Sequence, residues 1–414
     1  MRKSNAAVIS GVGACNGLGL NASAMNEALS EQRLADYQPY FADNREAARH
    51  AMSFNPTQVP MPPLVKGRRS AAPTAAALLE RVIDEAIGHA GLRSEDLSGQ
   101  RMQLYIGGQG VQPDAIEFAG YLARNDREDM LFNPSIKQMR SESYSEDLLS
   151  RLLMRRYALV RPPLSLATAS CSSMSALSLA SKAIESGSTD IAVVASWQQV
   201  TLYNMMFMGG MNALARAVAQ PFSADSEGVI LGGGVAATVL ESPGHLARRN
   251  ATGCLRIEGF AMCQSGGSSR GGQSFSPDFR SIARVISESL EQANTDADQI
   301  GCIFMHGNGI RSSDQAELMA VRKVWGENGI PVVSYKGQLG YHVAASGLTD
   351  IAILADAMQQ RRLLAFRSQS SLDAAAGVWL HADTQALPIV SDKVIKLGLG
   401  LEGSVAVCTL ARVA

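Results

Sequence analysis

The sequence predicts an α/β protein: a mainly parallel sheet with helices on both faces. Three observations carry this. Apolar strand-like runs alternate with helix-period segments along most of the chain. Glycine-punctuated turns follow several of those runs. Residues 158–187, ALVRPPLSLATASCSSMSALSLASKAIESG, then place the two kinds of element side by side. Residues 164–167 alternate as a buried strand, and 168–173 form a tight turn of small residues. A helix follows with Met174, Leu177, Ala180 and Ile184 on its apolar stripe, stopped by Gly187. Strand, sharp turn and helix together expose one side chain above a sheet and aim a helix N-terminus at it. Ser170 and Cys171 both lie in that turn.

Composition narrows the classes. The chain has 414 residues, 46% hydrophobic and 18% charged, with a net charge of −1. That length supports a large core and two domains or pseudo-domains, divided here as 1–250 and 251–414. A balanced charge gives no reason to expect nucleic acid or an anionic membrane as partner. Six cysteines are scattered without a C-x-x-C pair, so neither a zinc site nor a disulfide framework is expected; no metal is implied. Reduced thiols fit a cytoplasmic location. The basic N-terminus leads into a short, glycine-broken apolar run rather than a signal peptide, and no run of 18 apolar residues suggests a membrane span.

In chain order, residues 6–20 form a strand and loop, VISGVGACNGLGL following two alanines. Its glycines resemble a phosphate-binding fingerprint, but no acidic residue about 20 positions on ends a second strand, so no nucleotide cofactor is expected. Residues 22–34 are helical, and 35–68 are polar, proline-rich and irregular. Ala75, Leu78, Leu79, Val82, Ile83, Ala86 and Ile87 place a helix over 71–91. A strand at 104–108 enters a glycine-rich loop, and 111–157 reads as helical. Residues 191–195 form an apolar inner strand. The methionine cluster at 203–211 is either adaptable core packing or the wall of a long pocket, with Met206 and Met208 its candidates. The second half alternates: strand from 254 to 260, a Gly/Ser loop long enough to be mobile, strand 302–305, helix 314–326, strand 331–334, helix 347–361 and a final strand pair near 388–412.

Several stretches carry a resemblance. The turn reads R-P-P-L-S-L-A-T-A-S-C-S-S and ends at Gly187–Asp190. PFSADSEGVILGGGVAATVLES spans 221–242, FMHGNGIRSSDQAE spans 304–317, VSYKGQLGYHVAASG spans 333–347, and LGLGLEGS spans 397–404. These resemble the motifs of the β-ketoacyl-(acyl carrier protein) synthases of the thiolase-like superfamily. The resemblance covers nearly the whole chain, weakest over 35–150. It implies the duplicated, layered α-β-α-β-α thiolase-like fold, and it assigns 111–157 to a cover over the acyl pocket and to the dimer interface.

The resemblance also implies where the chemistry should lie. Family members carry the acyl chain on a cysteine, polarise the malonyl unit with two imidazoles, and stabilise an oxyanion with backbone N–H groups. Matched without gaps, Pro162 and the Gly187–Asp190 segment both put Ser170, not Cys171, at the nucleophile position. His306 matches the first histidine, with Asn308 and Ile310 in place of threonines and Asp314 and Glu317 retained. Lys336 matches the family lysine. Tyr341 takes the second histidine's place, and His342 comes one residue late. Gly233 replaces a glutamate. Near Gly400, Leu399 replaces a gating aromatic and Leu401 a glycine, so the oxyanion turn is expected to be altered.

No residue is therefore assigned as catalytic. One reading is a chain-length-factor-like subunit, without a nucleophile of its own, that pairs with an active ketosynthase and shapes its acyl tunnel. The other is an active synthase or acyltransferase, with Cys171 or Ser170 as nucleophile and His306 and His342 assisting decarboxylative condensation. Both imply an acyl carrier protein whose phosphopantetheine arm brings the substrate, and either a heterodimer with a ketosynthase or a homodimer.

Overall fold

The computed structural model describes residues 5–39, 50–52, 71–108, 147–217, 219–264, 278–373, 377–400 and 403–413. Its strands in chain order are β1 (Val8–Asn16), β2 (Tyr37–Pro39), β3 (His50–Met52), β4 (Met102–Gly107), β5 (Leu164–Leu166), β6 (Ile191–Gln198), β7 (Leu231–Gly232) and β8 (Gly234–Glu241). The remainder are β9 (Leu255–Gln264), β10 (Ile300–Phe304), β11 (Pro331–Val333), β12 (Arg362–Leu363), β13 (Trp379–Leu380), β14 (Leu387–Pro388), β15 (Lys393–Leu399) and β16 (Ser404–Arg412).

One 11-stranded sheet organises the molecule, in the order β13-β11-β10-β15-β16-β9-β1-β8-β6-β4-β5. Its two arms meet where Val8 and Ile9 of β1 pair with Arg256 and Leu255 of β9. Outward from that seam, one arm runs β1-β8-β6-β4-β5 and the other β9-β16-β15-β10-β11, the same order of first, last, next-to-last, second and third strand. This is the duplicated layered α/β architecture that the motifs imply. The parallel pairing lies on the flanks, β6-β4-β5 on one side and β15-β10-β11-β13 on the other. The strands between, from β15 through β6, join antiparallel.

Burial follows from the layers. Every residue of β6 and of β8 is buried, which is why these strands read as apolar runs rather than alternations. The helix Ala71–His89 lays Leu78, Leu79, Val82, Ile83 and Ala86 into the core against one face. Helices Ser172–Glu185 and Ser346–Gln360 pack on the other. Gly347 permits their close contact, since a Cβ there would sit 2.7 Å from Ser173 Oγ and 2.8 Å from Met174 Cγ. Each fully buried side chain such as Leu177 contributes about 1.5–3 kcal/mol through removal from water.

Some elements differ from expectation. The strand before the sharp turn is not buried: β5 closes the sheet at its edge, leaving Leu164 44% exposed. Part of 35–68 is ordered rather than irregular, because β2, β3 and β7 form a small three-stranded sheet. Of the helical stretch expected over 111–157, Asp147–Tyr157 is a helix; the rest, and the Gly/Ser loop after β9, lie outside the described residues.

Candidate functional site

The site forms where β5, β10 and β15 hand over to their connections, beyond the carboxyl ends of parallel strands. A cavity of about 290 Å³ opens there, its floor made by Ser170, His306, Asn308, Tyr341 and Gly400. Its walls are mainly apolar and aromatic, with Tyr203, Phe207, Met208, Leu231, Val343 and Leu399 among them.

The turn is built as the small residues demand. Ala169 takes φ +48, in the left-handed region that costs a side-chain-bearing residue about 1 kcal/mol or more. A short 3₁₀ turn, Ala169–Cys171, then feeds the helix Ser172–Glu185. The Thr168 backbone N–H donates to Ser172 Oγ at 2.9 Å, and Ser172 Oγ reaches Ala169 O at 2.6 Å. Ser170 faces the cavity. Cys171 points behind the turn, fully buried, with its Sγ 3.9 Å from Ser404 O. Burial pushes its thiol up to about 12, so a thiolate is strongly disfavoured.

Tyr341 and His342 divide in the same way. The Tyr341 N–H donates to Ile230 O at 2.8 Å, and the Gly232 N–H donates to Tyr341 O at 3.0 Å. These strand-like bonds to β7 fix the register at Tyr341, and His342, at φ −82 and ψ 18, already turns the chain into the 3₁₀ stretch Val343–Ala345. Tyr341 therefore enters the cavity, where its hydroxyl donates to Ser170 Oγ and its ring stands edge-on to His306 at 5.6 Å. His342 points the other way, against glycines: a Cβ on Gly234 would lie 2.6 Å from its Nδ1. Burial brings its imidazole down to about 4, a neutral core residue at neutral pH.

The loop after β10 is held from below by carboxylates. Glu317 accepts the His306 N–H at 2.5 Å and the Gly307 N–H at 2.7 Å; Asp314 accepts from Asn308 N at 3.0 Å and Phe222 N at 2.9 Å. Both stand one turn apart on the helix Arg311–Trp325, which explains their spacing. Burial pushes Asp314 up to about 7 and Glu317 up to about 8 despite those donors. Burial, with the Lys336 and Lys396 charges, holds His306 well below the usual imidazole range, so it is neutral.

Behind the floor lies a buried ionic cluster that sequence reading only half found. Lys336 Nζ is 3.1 Å from Asp350 Oδ2, and Lys396 Nζ is 2.7 Å from the same oxygen. Lys396, 1% exposed, also donates to Leu397 O at 2.6 Å and to Met305 O at 3.2 Å. It thus ties the segment that runs from β10 to His306 to the strand leading to Leu399 and Gly400. The available signal was a lysine inside the otherwise apolar run Val394–Leu399. Burial opposes the charge on Asp350, but the two ammonium groups outweigh it and hold the carboxyl below its usual range.

Other expected residues separate. Met208 lines the cavity, whereas Met206 is 64% exposed and turned to solvent. On the helix Leu202–Gly210, two positions apart is about 200° of rotation, so these two methionines cannot share a wall. That corrects the pairing of Met206 with Met208. Leu401 lies outside the described residues; Gly400 is described, and its N–H is engaged by Ser404 O at 2.9 Å. Among the described residues no group of His, Cys, Asp or Glu could hold a metal, and no helix is long and apolar enough to cross a membrane.

Comparison with known proteins agrees with this geometry. Residues 8–244 match the family model described as "Beta-ketoacyl synthase, N-terminal domain", and residues 256–368 that of the C-terminal domain. The tetracenomycin polyketide synthase ketoacyl synthase alpha subunit of Streptomyces glaucescens is 28% identical over 200 residues, 47% of this chain and 45% of that protein. The chain thus spans about half the length of such curated relatives. Among solved structures, the ishigamide ketosynthase/chain length factor superposes with TM-score 0.82 at 22% identity over 100% of both chains. AntDE:AntF, a type II polyketide synthase acyl carrier protein in complex with its ketosynthase, gives 0.81 at 18% identity over 99% of this chain and 100% of that one. The domain matches span both halves of the sheet and include the turn, the His306 loop and the Lys336 segment, and the chain belongs to the β-ketoacyl synthase family.

Proposed function

We propose that this chain is a chain-length-factor-like subunit of a heterodimeric β-ketoacyl-ACP synthase, acting in the cytoplasm in fatty acid, polyketide or polyene biosynthesis. Residues 1–250 and 251–414 serve as its two thiolase-like halves. It pairs with an active ketosynthase and shapes the space that holds the acyl chain, while an acyl carrier protein delivers the substrate on its phosphopantetheine arm. One observation carries this reading: the atom that caps the sharp turn and faces the cavity is the Ser170 hydroxyl, itself bonded to Tyr341, while the Cys171 thiol is buried behind the turn. A serine hydroxyl needs an adjacent base to become a nucleophile, and burial raises the Tyr341 phenol rather than making it one. Neither Cys171 nor His342 lines the cavity, which counts against an active synthase built on those two.

Acyl loading tests the proposal. The purified chain, alone and co-expressed with a ketosynthase, is incubated with acyl-carrier-protein thioesters and measured by intact-mass spectrometry. The expected result is no covalent adduct on this chain in either case, with acylation confined to the ketosynthase. An adduct on this chain that disappears in Ser170→Ala or Cys171→Ala would establish the active-synthase reading instead.

A further inference from the structure

We infer that Asn308 is a positioning residue that holds the His306 imidazole in the Nδ1–H tautomer, with Nε2 left as a hydrogen-bond acceptor. The geometry fixes each proton in turn. The Ile310 backbone N–H can only donate, and it meets Asn308 Oδ1 at 3.0 Å. That contact identifies the oxygen end of the amide without ambiguity, since a backbone donor cannot face an NH₂ group. The Nδ2 end must then face His306, and it lies 3.3 Å from Nε2. Nδ2 carries two hydrogens and no acceptor lone pair, so Nε2 accepts. The ring is buried and neutral, and a neutral imidazole whose Nε2 accepts carries its proton on Nδ1. Beside it, the Tyr341 hydroxyl donates to Ser170 Oγ. The floor thus holds two directed links, one from Ile310 through Asn308 to His306 and one from Tyr341 to Ser170.

The chemical consequence is specific. On its Asn308 side, His306 offers a lone pair already in use and no proton to a ligand oxygen. Asn308 acts this way whether or not the chain is ever acylated, so the acyl-loading experiment and the one below fail independently.

The test is long-range ¹H–¹⁵N correlation NMR on the full chain labelled with ¹⁵N-histidine at neutral pH, with the His306 signals identified by their loss in His306→Gln. The expected wild-type pattern is a pyrrole-type Nδ1 and a pyridine-type Nε2. In Asn308→Leu, which removes the donor at similar volume, the Nε2 signal should move toward the pyrrole-type range as the other tautomer becomes populated. A pyrrole-type Nε2 in the wild type overturns the assignment, as does a pattern that Asn308→Leu leaves unchanged. Should that variant fail to fold, the wild-type spectrum alone still decides.

Discussion

The Tyr341 hydroxyl donates a hydrogen bond to Ser170 Oγ, joining two positions from opposite halves of the chain. Both side chains are buried, and each oxygen has the other as a protein hydrogen-bond partner. Removing one partner leaves a buried polar group unsatisfied, whereas removing both does not. Ser170→Ala is therefore expected to cost about 1–3 kcal/mol and Tyr341→Phe about 1 kcal/mol. The double variant should be more stable than the sum implies, by about 1 kcal/mol. Urea unfolding of the four proteins measures this coupling, and strict additivity would show that the two hydroxyls stabilise nothing jointly.

The six cysteines should differ sharply in reactivity. Cys15, Cys171, Cys302 and Cys408 are buried, while Cys254 and Cys263 are partly accessible. Alkylation needs both access and thiolate, and burial pushes Cys171 up to about 12. Brief iodoacetamide treatment of the native chain followed by peptide mapping should find label at Cys254 and Cys263. Early modification of Cys171 would mean that its thiol reaches the cavity and would revive it as a nucleophile.

His342 gives a pH prediction with a definite sign. Burial lowers its imidazole from 6.5 to about 4. A group that binds protons less tightly in the folded state adds stability that is complete above the unfolded pKa and is lost as pH falls through the folded one. The contribution is about 3 kcal/mol, disappearing between roughly pH 6.5 and 4. Asp314 and Glu317 titrate with the opposite sign in an overlapping range, because burial raises them. They do so in the wild type and in His342→Gln alike, so the comparison cancels them. The stability advantage of wild type over the variant should shrink by about 3 kcal/mol from pH 7 to pH 4 in denaturant titrations, and a gap constant with pH would show that His342 is not a buried neutral imidazole.

The two residues that come one place late, Cys171 and His342, illustrate what was legible in the sequence. Motif register alone placed Ser170 and Tyr341 in the cavity positions, because flanking prolines and glycines anchor the turn and the strand. What the sequence did not carry was the reason a one-residue displacement is decisive. Next to β7, as at the sharp turn, it exchanges the cavity for the core. Strand and helix alternation was equally readable, since 3.6-residue stripes such as Ala75–Ile87 and fully apolar strands such as β6 leave little choice. The antiparallel middle of the sheet was not, because pairing direction depends on partners far away in the chain. The exposure of Met206 was hidden as well: a helix that is apolar all round does not announce which face it buries.

Charge balance ranks substitutions in the buried cluster. Asp350 is shared by Lys336 and Lys396, two cations on one anion. Lys396→Met leaves a neutral Lys336–Asp350 pair and frees three carbonyl acceptors, Phe304 O, Met305 O and Leu397 O. Asp350→Asn instead strands two buried ammonium groups. Breaking a buried pair in that way costs about 3–5 kcal/mol. Asp350→Asn should therefore be the more damaging change, with Lys396→Met costing about 1–3 kcal/mol for its lost hydrogen bonds. Chemical denaturation of both variants checks the order. If Lys396→Met were the worse, the bridging of β10 to β15 would matter more than the charges.

Met206 and Met208 sit on one helix and should answer differently to substitution. Met208 is buried at the cavity wall, so a larger side chain there must take volume from the cavity or force the wall outward. Met206 projects into solvent, where a polar residue changes little in the fold. A dansyl-labelled fatty acid reports on the cavity by its fluorescence when bound. Met208→Trp should weaken that binding about tenfold, or about 1.4 kcal/mol, and Met206→Ser should leave it within about twofold. Stability of Met206→Ser should stay within about 0.5 kcal/mol of wild type. The opposite ranking, with Met206→Ser the weaker binder, would mean that the ligand lies along the solvent-exposed face of the helix that carries Met206 rather than in the cavity that Met208 lines.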